Sequence, residues 1–304
     1  MSAGRQFLPD SVRNWSLAFV LAAGSALPAL AQAAEPEQAV PDRLWSISLT
    51  GGLSASDGGG NQKSAQIGLT RNLGAGFAGL SLARLDAPAE AGQRGALASK
   101  ADQLTLSGGY GFGALSLDAY ASYGWRKFNS AVITAGNGQS VTVAAKGKNL
   151  SLGAGLSYEL PLGEHAAIAP FISLDYGRVD SIRAALIPVV GLVALAEQNS
   201  GITGTAGLSL THRLGPDDAN SIGASGAFVT SSNAAASSFG ARTRAARTVR
   251  RLDGISGADS WAEFGGSASV RLNQAIALDL SLTRTAGSAG PESTSVSAGL
   301  RFGF

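Results

Sequence analysis

Segments in which apolar and polar residues strictly alternate recur along most of this 304-residue chain. From Asn149 onward, Leu150, Leu152, Ala154, Leu156, Tyr158 and Leu160 alternate with Asn149, Ser151, Gly153, Gly155, Ser157 and Glu159. Ile276, Leu278, Leu280 and Leu282 alternate with Ala277, Asp279, Ser281 and Thr283. The chain ends the same way, with Val296, Ala298, Leu300, Phe302 and Phe304 set against Ser295, Ser297, Gly299, Arg301 and Gly303. A period of two gives a strand one greasy face and one polar face, so the chain reads as all-β. Soluble sandwiches alternate too, and the period alone leaves sandwich and barrel open.

The connections separate them. Twelve alternating segments are present: Leu44–Leu53, Ser64–Arg71, Gly76–Leu85, Ala101–Phe112, Ala114–Thr134, Ser140–Leu160, Ala166–Val179, Gly201–Leu214, Ser221–Val229, Asp259–Leu272, Ala275–Thr285 and Thr294–Phe304. Most approach the roughly 9–11 residues that a tilted strand needs to cross a bilayer. Brief turns follow the even segments: Asn72–Ala75, Gly113, Pro161–His165, Gly215–Asn220 and Asn273–Gln274. Longer links follow the odd ones: Ser54–Lys63, Asp86–Lys100, Asp180–Ser200, Thr230–Ala258 and Ala286–Ser293. The link after the fifth segment is the exception, with a tight Ala135–Gln139 turn capping two long segments. Short turns on one side and long loops on the other are how outer-membrane barrels are strung, with both termini on the short-turn, periplasmic side.

Aromatic residues mark two edges. Trp45, Tyr110, Phe112, Tyr158, Phe302 and Phe304 sit on the apolar parity at the short-turn ends, and Tyr123, Trp125, Tyr176, Phe228 and Phe264 at the long-loop ends. Two such rings are the interfacial girdles of a transmembrane barrel. Lipid has no donor or acceptor for an open sheet edge, so the sheet must close. The expected fold is an all-β, twelve-stranded antiparallel transmembrane β-barrel of the outer-membrane type over residues 44–304. Composition agrees: charged residues are 14% of the chain, against about a quarter in a soluble globular protein.

The amino-terminal stretch reads as an export signal. Arg5 and Arg13 precede an apolar run from Trp15 to Ala31, and Ala31-Gln32-Ala33 supplies a small-x-small cleavage pattern. Residues 1–33 are expected to be a signal peptide cleaved after Ala33, with residues 34–43 a short periplasmic or lumenal lead-in.

The stretch "LSLGAGLSYELPLGEHAAIAPFISLDYGRVDSI" from Leu150, together with the final "SVSAGLRFGF", resembles the autotransporter β-domain family. The resemblance extends over the region from Leu44 to Phe304. It implies a twelve-stranded barrel inserted by the barrel-assembly machinery. That machinery would read the last strand, here through Val296, Leu300, Phe302 and Phe304. Family members usually carry a secreted passenger and a helix in the lumen. Here only "AEPEQAVPDR", Ala34–Arg43 with Pro36 and Pro41, lies between the expected cut and the first strand. The expectation is therefore a structural or translocator-like pore module without its own passenger. The alternatives are a small diffusion channel and, further off, an outer-membrane hydrolase.

No residue pattern asks for enzyme chemistry. The chain has no cysteine and two histidines, His165 in a periplasmic turn and His212 on an outward face near the periplasm. A hydrolase needs its base within hydrogen-bond reach of a nucleophile, and no HExxH, Walker or GxSxG motif is present. Catalytic, cofactor and metal sites are all expected to be absent, and a net charge of +2 gives no reason to expect nucleic acid. Charges on the polar parity should face the lumen: Asp118, Glu159, Asp175, Arg213, Glu263, Arg271, Asp279 and Arg301. They would serve as a mixed-sign channel lining or as a paired lattice stiffening the wall. The fourth long loop contains "AALIPVVGLVALA", too apolar for a solvated loop, and reads as a strand pair extending the wall or a lid over the pore. The fifth carries Arg242, Arg244, Arg247, Arg250 and Arg251. It is either simply solvated or a binding site for lipopolysaccharide or another surface polyanion at the outer leaflet.

Overall fold

The computed structural model describes residues 44–57, 61–87, 98–129, 131–134, 138, 140–143, 145–187, 191–215, 218–236, 257–287 and 292–304. The expected signal peptide, the lead-in Ala34–Arg43 and the five loop arginines lie outside them. All described residues belong to one compact unit, Ala34–Phe304.

In chain order the strands are β1 (Trp45–Ser56), β2 (Asn61–Asn72), β3 (Gly76–Ala87), β4 (Ser99–Phe112), β5 (Leu115–Phe128), β6 (Ala131–Thr134), β7 (Ser140–Val143) and β8 (Lys146–Tyr158). They continue as β9 (Leu160–Pro161), β10 (Ala166–Ile187), β11 (Gly191–Leu214), β12 (Asn220–Ser231), β13 (Asp259–Arg271), β14 (Ile276–Ala286) and β15 (Ser293–Gly303). Each wall strand pairs antiparallel with its chain neighbour, β5 passing directly to β8. β1 pairs with β15 from Ser46↔Gly303 to Ser56↔Ser293 and closes the ring. Leaving aside β6, β7 and the two-residue β9, the wall is a closed barrel of twelve strands.

The packing is inside out. Leu80, Leu106, Ile172, Leu208, Leu282 and Val296 face outward and are exposed, whereas the inward parity carries mainly Ser, Thr, Gly, Asn and Gln. In water this apolar surface would drive aggregation; in hydrocarbon it is the solvated face, and the polar groups turn inward. The aromatic rings lie at the two edges of the band. Tyr110 and Phe112 pack at 4.6 Å on the short-turn side, and Tyr123 and Trp125 make an edge-on pair at 5.1 Å on the other. Arg71 stands 5.3 Å over Trp45.

Three expected boundaries are corrected. The continuous segment Ala114–Thr134 is broken into β5 and β6, and Ser140–Leu160 into β7, β8 and β9. The pairing runs to Lys127↔Lys146 but resumes at Ala131↔Val143, so one strand carries an extra residue. That is a bulge, and up to it the end of β5 keeps both ladders, with Phe128 N–H on Ala145 O and Asn129 N–H on Ala98 O. β8 is interrupted at Glu159 because Pro170, which falls opposite Tyr158 in the β8–β10 register, has no N–H to donate. The fourth link is mostly strand. β10 and β11 stay paired from Ala166↔His212 to Ile187↔Gly191, well past Val179, so the apolar sequence there is wall, not a lid.

Candidate functional site

The lumen is where this chain can do anything beyond sitting in lipid, and its two halves differ. On the long-loop half, inward side chains are buried: Ser54, Gln103, Ser122, Arg126, Asn149, Thr203, Val229, Ser231, Glu263 and Ser295 among them. On the short-turn half the inward positions Ser48, Thr70, Asp118, Ser157, Glu159, Thr211, Arg213, Asp279 and Arg301 are all partly accessible. Asp118, Ser157, Glu159, Thr211 and Arg301 among them line a cavity of about 250 Å³.

A belt of hydrogen bonds runs along the buried half. Gln103 Nε2 donates to Ser122 Oγ, which lies 3.1 Å from Ser151 Oγ. Tyr120 Oη donates to Asp175 Oδ1 at 2.6 Å, joining β5 to β10 across the intervening β8. This reach is possible because the intervening inward residue is Gly153, on which any Cβ would collide with both the tyrosine ring and the carboxylate. Phe171 lies in the same way over Gly207, with its ring tip 2.6 Å from where a Cβ would stand. Nearer the rim, Arg126 Nε donates to Ser99 Oγ at 2.7 Å and Nη1 to Asp180 O at 3.1 Å, with the guanidinium 4.7 Å from the Phe128 ring. Val179 and Ala101 pack together beside Leu85. Across the barrel, Thr203 bonds Ser231 at 2.9 Å and Ser295 bonds Ser54 at 2.9 Å. Ser232–Ala236 then turn back onto the wall, with Asn233 Nδ2 donating to Asn199 Oδ1 and Ala234–Ala236 buried.

Among the charges expected in the lumen, the structure pairs two sets and disperses the rest. Arg301 Nη2 is 3.0 Å from Asp279 Oδ1, which also accepts from Ser269 Oγ at 2.7 Å. Arg213 Nη2 is 3.5 Å from Glu159 Oε1. Asp175 belongs to the tyrosine belt, and Glu263 accepts from Trp261 Nε1 at 2.9 Å near the outer mouth. Asp118 and Arg271 are half-buried on the inward face. The sequence reading omitted Arg126, although it shares the parity of Asp118 on β5; the alternation alone would have found it. Tyr120 and Gly153 had no such signal, since their pairing depends on which strands become neighbours.

The family model of the Autotransporter beta-domain matches residues 48–283. The chain belongs to that family. This autotransporter β-domain has the fold of two solved relatives. The translocator domain of the autotransporter NalP from Neisseria meningitidis shares 16% identity at a TM-score of 0.61, covering 97% of this chain and 96% of that one. The β domain of the Bordetella autotransporter BrkA shares 16% identity at 0.59, covering 86% and 98%. No curated protein matches the chain significantly. The β-domain belongs to a family of outer-membrane proteins, and its two ends are named periplasmic and external by the rule that short turns face the periplasm.

The histidines of this β-domain stand apart from the lumen belt. His165 Nδ1 is 2.9 Å from Asp218 Oδ1, tying two periplasmic turns together. His212 is exposed on the outer wall, in register with Ala166 and Ile222. Among the described residues no three His, Cys, Asp or Glu side chains stand close enough to hold a metal ion. Val296 and Leu300 of β15 and the terminal Phe304 just beyond it are exposed, with Phe302 half-buried in register with Ile47 and Ile276.

Proposed function

We propose that this β-domain is a translocator-type pore module whose lumen rests open to the periplasm and closed toward the outside. The observation that carries the reading is the asymmetry of the inward face, accessible around Asp118, Glu159 and Arg301 and buried from the Tyr120–Asp175 level outward. The belt gives the closed half its rigidity, because a buried polar network holds its shape only when its members are satisfied together. An extended chain would enter from the periplasmic side along a wall of Ser and Thr hydroxyls, which bond a passing backbone without selecting its sequence. No nucleophile–base pair faces the cavity among the described residues, and the module is read as non-enzymatic. Its export would use the signal ending at Ala33, so the mature chain should begin at Ala34. The loop bearing Arg242–Arg251 is read as a polyanion-binding edge.

A second reading, a small diffusion channel, draws on the cavity and the mixed-sign pairs Arg301–Asp279 and Arg213–Glu159. Conductance in planar bilayers separates the two. The closed module should give rare, short openings that become frequent when Arg126→Ala and Tyr120→Ala loosen the outer half. Steady ohmic conductance in the unaltered protein would establish the channel instead.

A further inference from the structure

The outer wall of the barrel carries a charge pattern that neither translocation nor the fold requires. Lys63, Asp86, Lys100, Lys127 and Lys146 are successive cross-strand partners on β2, β3, β4, β5 and β8. All five are on the outward parity, and the four lysines are exposed. Neighbouring strands are about 4.8 Å apart, so Lys100, Lys127 and Lys146 fall within about 10 Å along one row. Two residues toward the membrane Lys148 lies opposite Trp125, and two residues farther still Arg178 lies opposite Leu150.

The acids nearby are already committed. Arg84 holds Asp102 with two bonds of 2.7 and 2.9 Å, Asp86 is 4.0 Å from Lys100, and Asp180 accepts from the Lys148 N–H and Gln198 Nε2. Among the described residues, Lys127, Lys146, Lys148 and Arg178 make no ion pair. Like charges directly opposite one another destabilise a bare antiparallel pair. The wall carries that repulsion twice in succession, at Lys100↔Lys127 and at Lys127↔Lys146.

We propose that this row binds a phosphorylated lipid of the outer leaflet, with its phosphates bridging Lys127, Lys146 and Lys148. The level is right. Trp125 and Tyr123 form the exposed aromatic edge immediately below, which marks the headgroup depth. The lysine row lies about 7 Å farther out, two residues along the strand. The face below is right as well. Below Lys146 and Lys148 on the same strand, Leu152 borders a shallow groove of about 310 Å³ that continues over Leu174, Tyr176 and Ile202 of β10 and β11 and is also lined by Tyr120, Gly153 and Asp175, open to an acyl chain of the same molecule. Phosphate above and hydrocarbon below, on one continuous wall, fit a lipid. A soluble polyanion would use only the upper half. The proposal is independent of whether the lumen conducts.

The test uses the folded full-length protein in detergent and diphosphorylated lipid A as probe. Binding is measured for the unaltered chain, for Lys127→Gln/Lys146→Gln, and for Lys100→Gln/Lys127→Gln/Lys146→Gln/Lys148→Gln. A heat-modifiable gel shift establishes that each is folded. Affinity should fall at least about tenfold in the fourfold variant and by an intermediate factor in the double variant. The fully dephosphorylated lipid should bind as weakly to the unaltered chain. In lipid-free detergent the double variant should unfold at a higher denaturant concentration than the unaltered chain, because a repulsion has been removed. Unchanged lipid A affinity in the fourfold variant would overturn the proposal, whether or not Gln at Arg242, Arg244, Arg247, Arg250 and Arg251 abolishes binding. Displacement of the lipid by millimolar inorganic phosphate would also overturn it, reducing the row to a simple anion site.

Discussion

Replacing Gly153 by alanine tests how the belt is built. An alanine Cβ there would stand 2.8 Å from Tyr120 Cζ and closer still to Cε1 and to Asp175 Oδ1. The ring must therefore leave, and with it the 2.6 Å hydrogen bond to the carboxylate. A hydrogen bond to a charged group contributes about 1.5–3 kcal/mol, and forcing a methyl group into a filled site costs about 1–3 kcal/mol more. The gain from replacing a strand glycine is only about 0.5–1 kcal/mol. The net expectation is a loss of about 2–5 kcal/mol, read as a lower urea midpoint for unfolding from lipid vesicles followed by tryptophan fluorescence. Tyr120→Phe should lose the bond alone, about 1.5–3 kcal/mol. In a Tyr120→Ala/Asp175→Ala background both obstacles, the ring and the carboxylate, are gone, so Gly153→Ala should cost less than about 1 kcal/mol, a strong coupling between the glycine and the pair above it. An equal loss in both backgrounds would refute the socket argument, since Gly153 would then matter for its backbone and not for the ring above it.

Leu106, exposed at mid-wall and paired with Leu80 and Ala121, should tolerate arginine poorly, at a cost of about 2–4 kcal/mol in the same unfolding assay; a neutral outcome would mean that this face does not meet hydrocarbon. Removing Phe304, or changing it to Ser, should abolish outer-membrane accumulation. The side chain is 57% exposed, so refolding of the Ser variant in vitro should be nearly normal; normal levels in cells would show that no assembly step reads this residue. A protease added to intact cells should cut within Ser231–Ala258 and spare Pro161–His165 until the outer membrane is opened, and the reverse pattern would invert the barrel.

The alternation of single residues was enough to determine twelve wall strands, their inward and outward faces and the girdles. Each of these follows from a local rule, because lipid on one face and water on the other act on every strand separately. Leu150, Leu152 and Leu156 face outward whatever β8 pairs with. The bulge between Phe128 and Ala131 was invisible because it shows only as an offset between Lys127↔Lys146 and Ala131↔Val143, in the pairing of two strands. The apolar stretch beyond Val179 allowed either a strand pair or a lid, and only the pairing of β10 with β11 decided for the strand pair, because strand pairing outside the membrane obeys no thickness rule. The glycine sockets, the buried outer half of the lumen and the lysine row from β2 to β8 are properties of register. They exist only once closure of the ring at β1 and β15 has settled which residue stands opposite which, and no single strand contains that information.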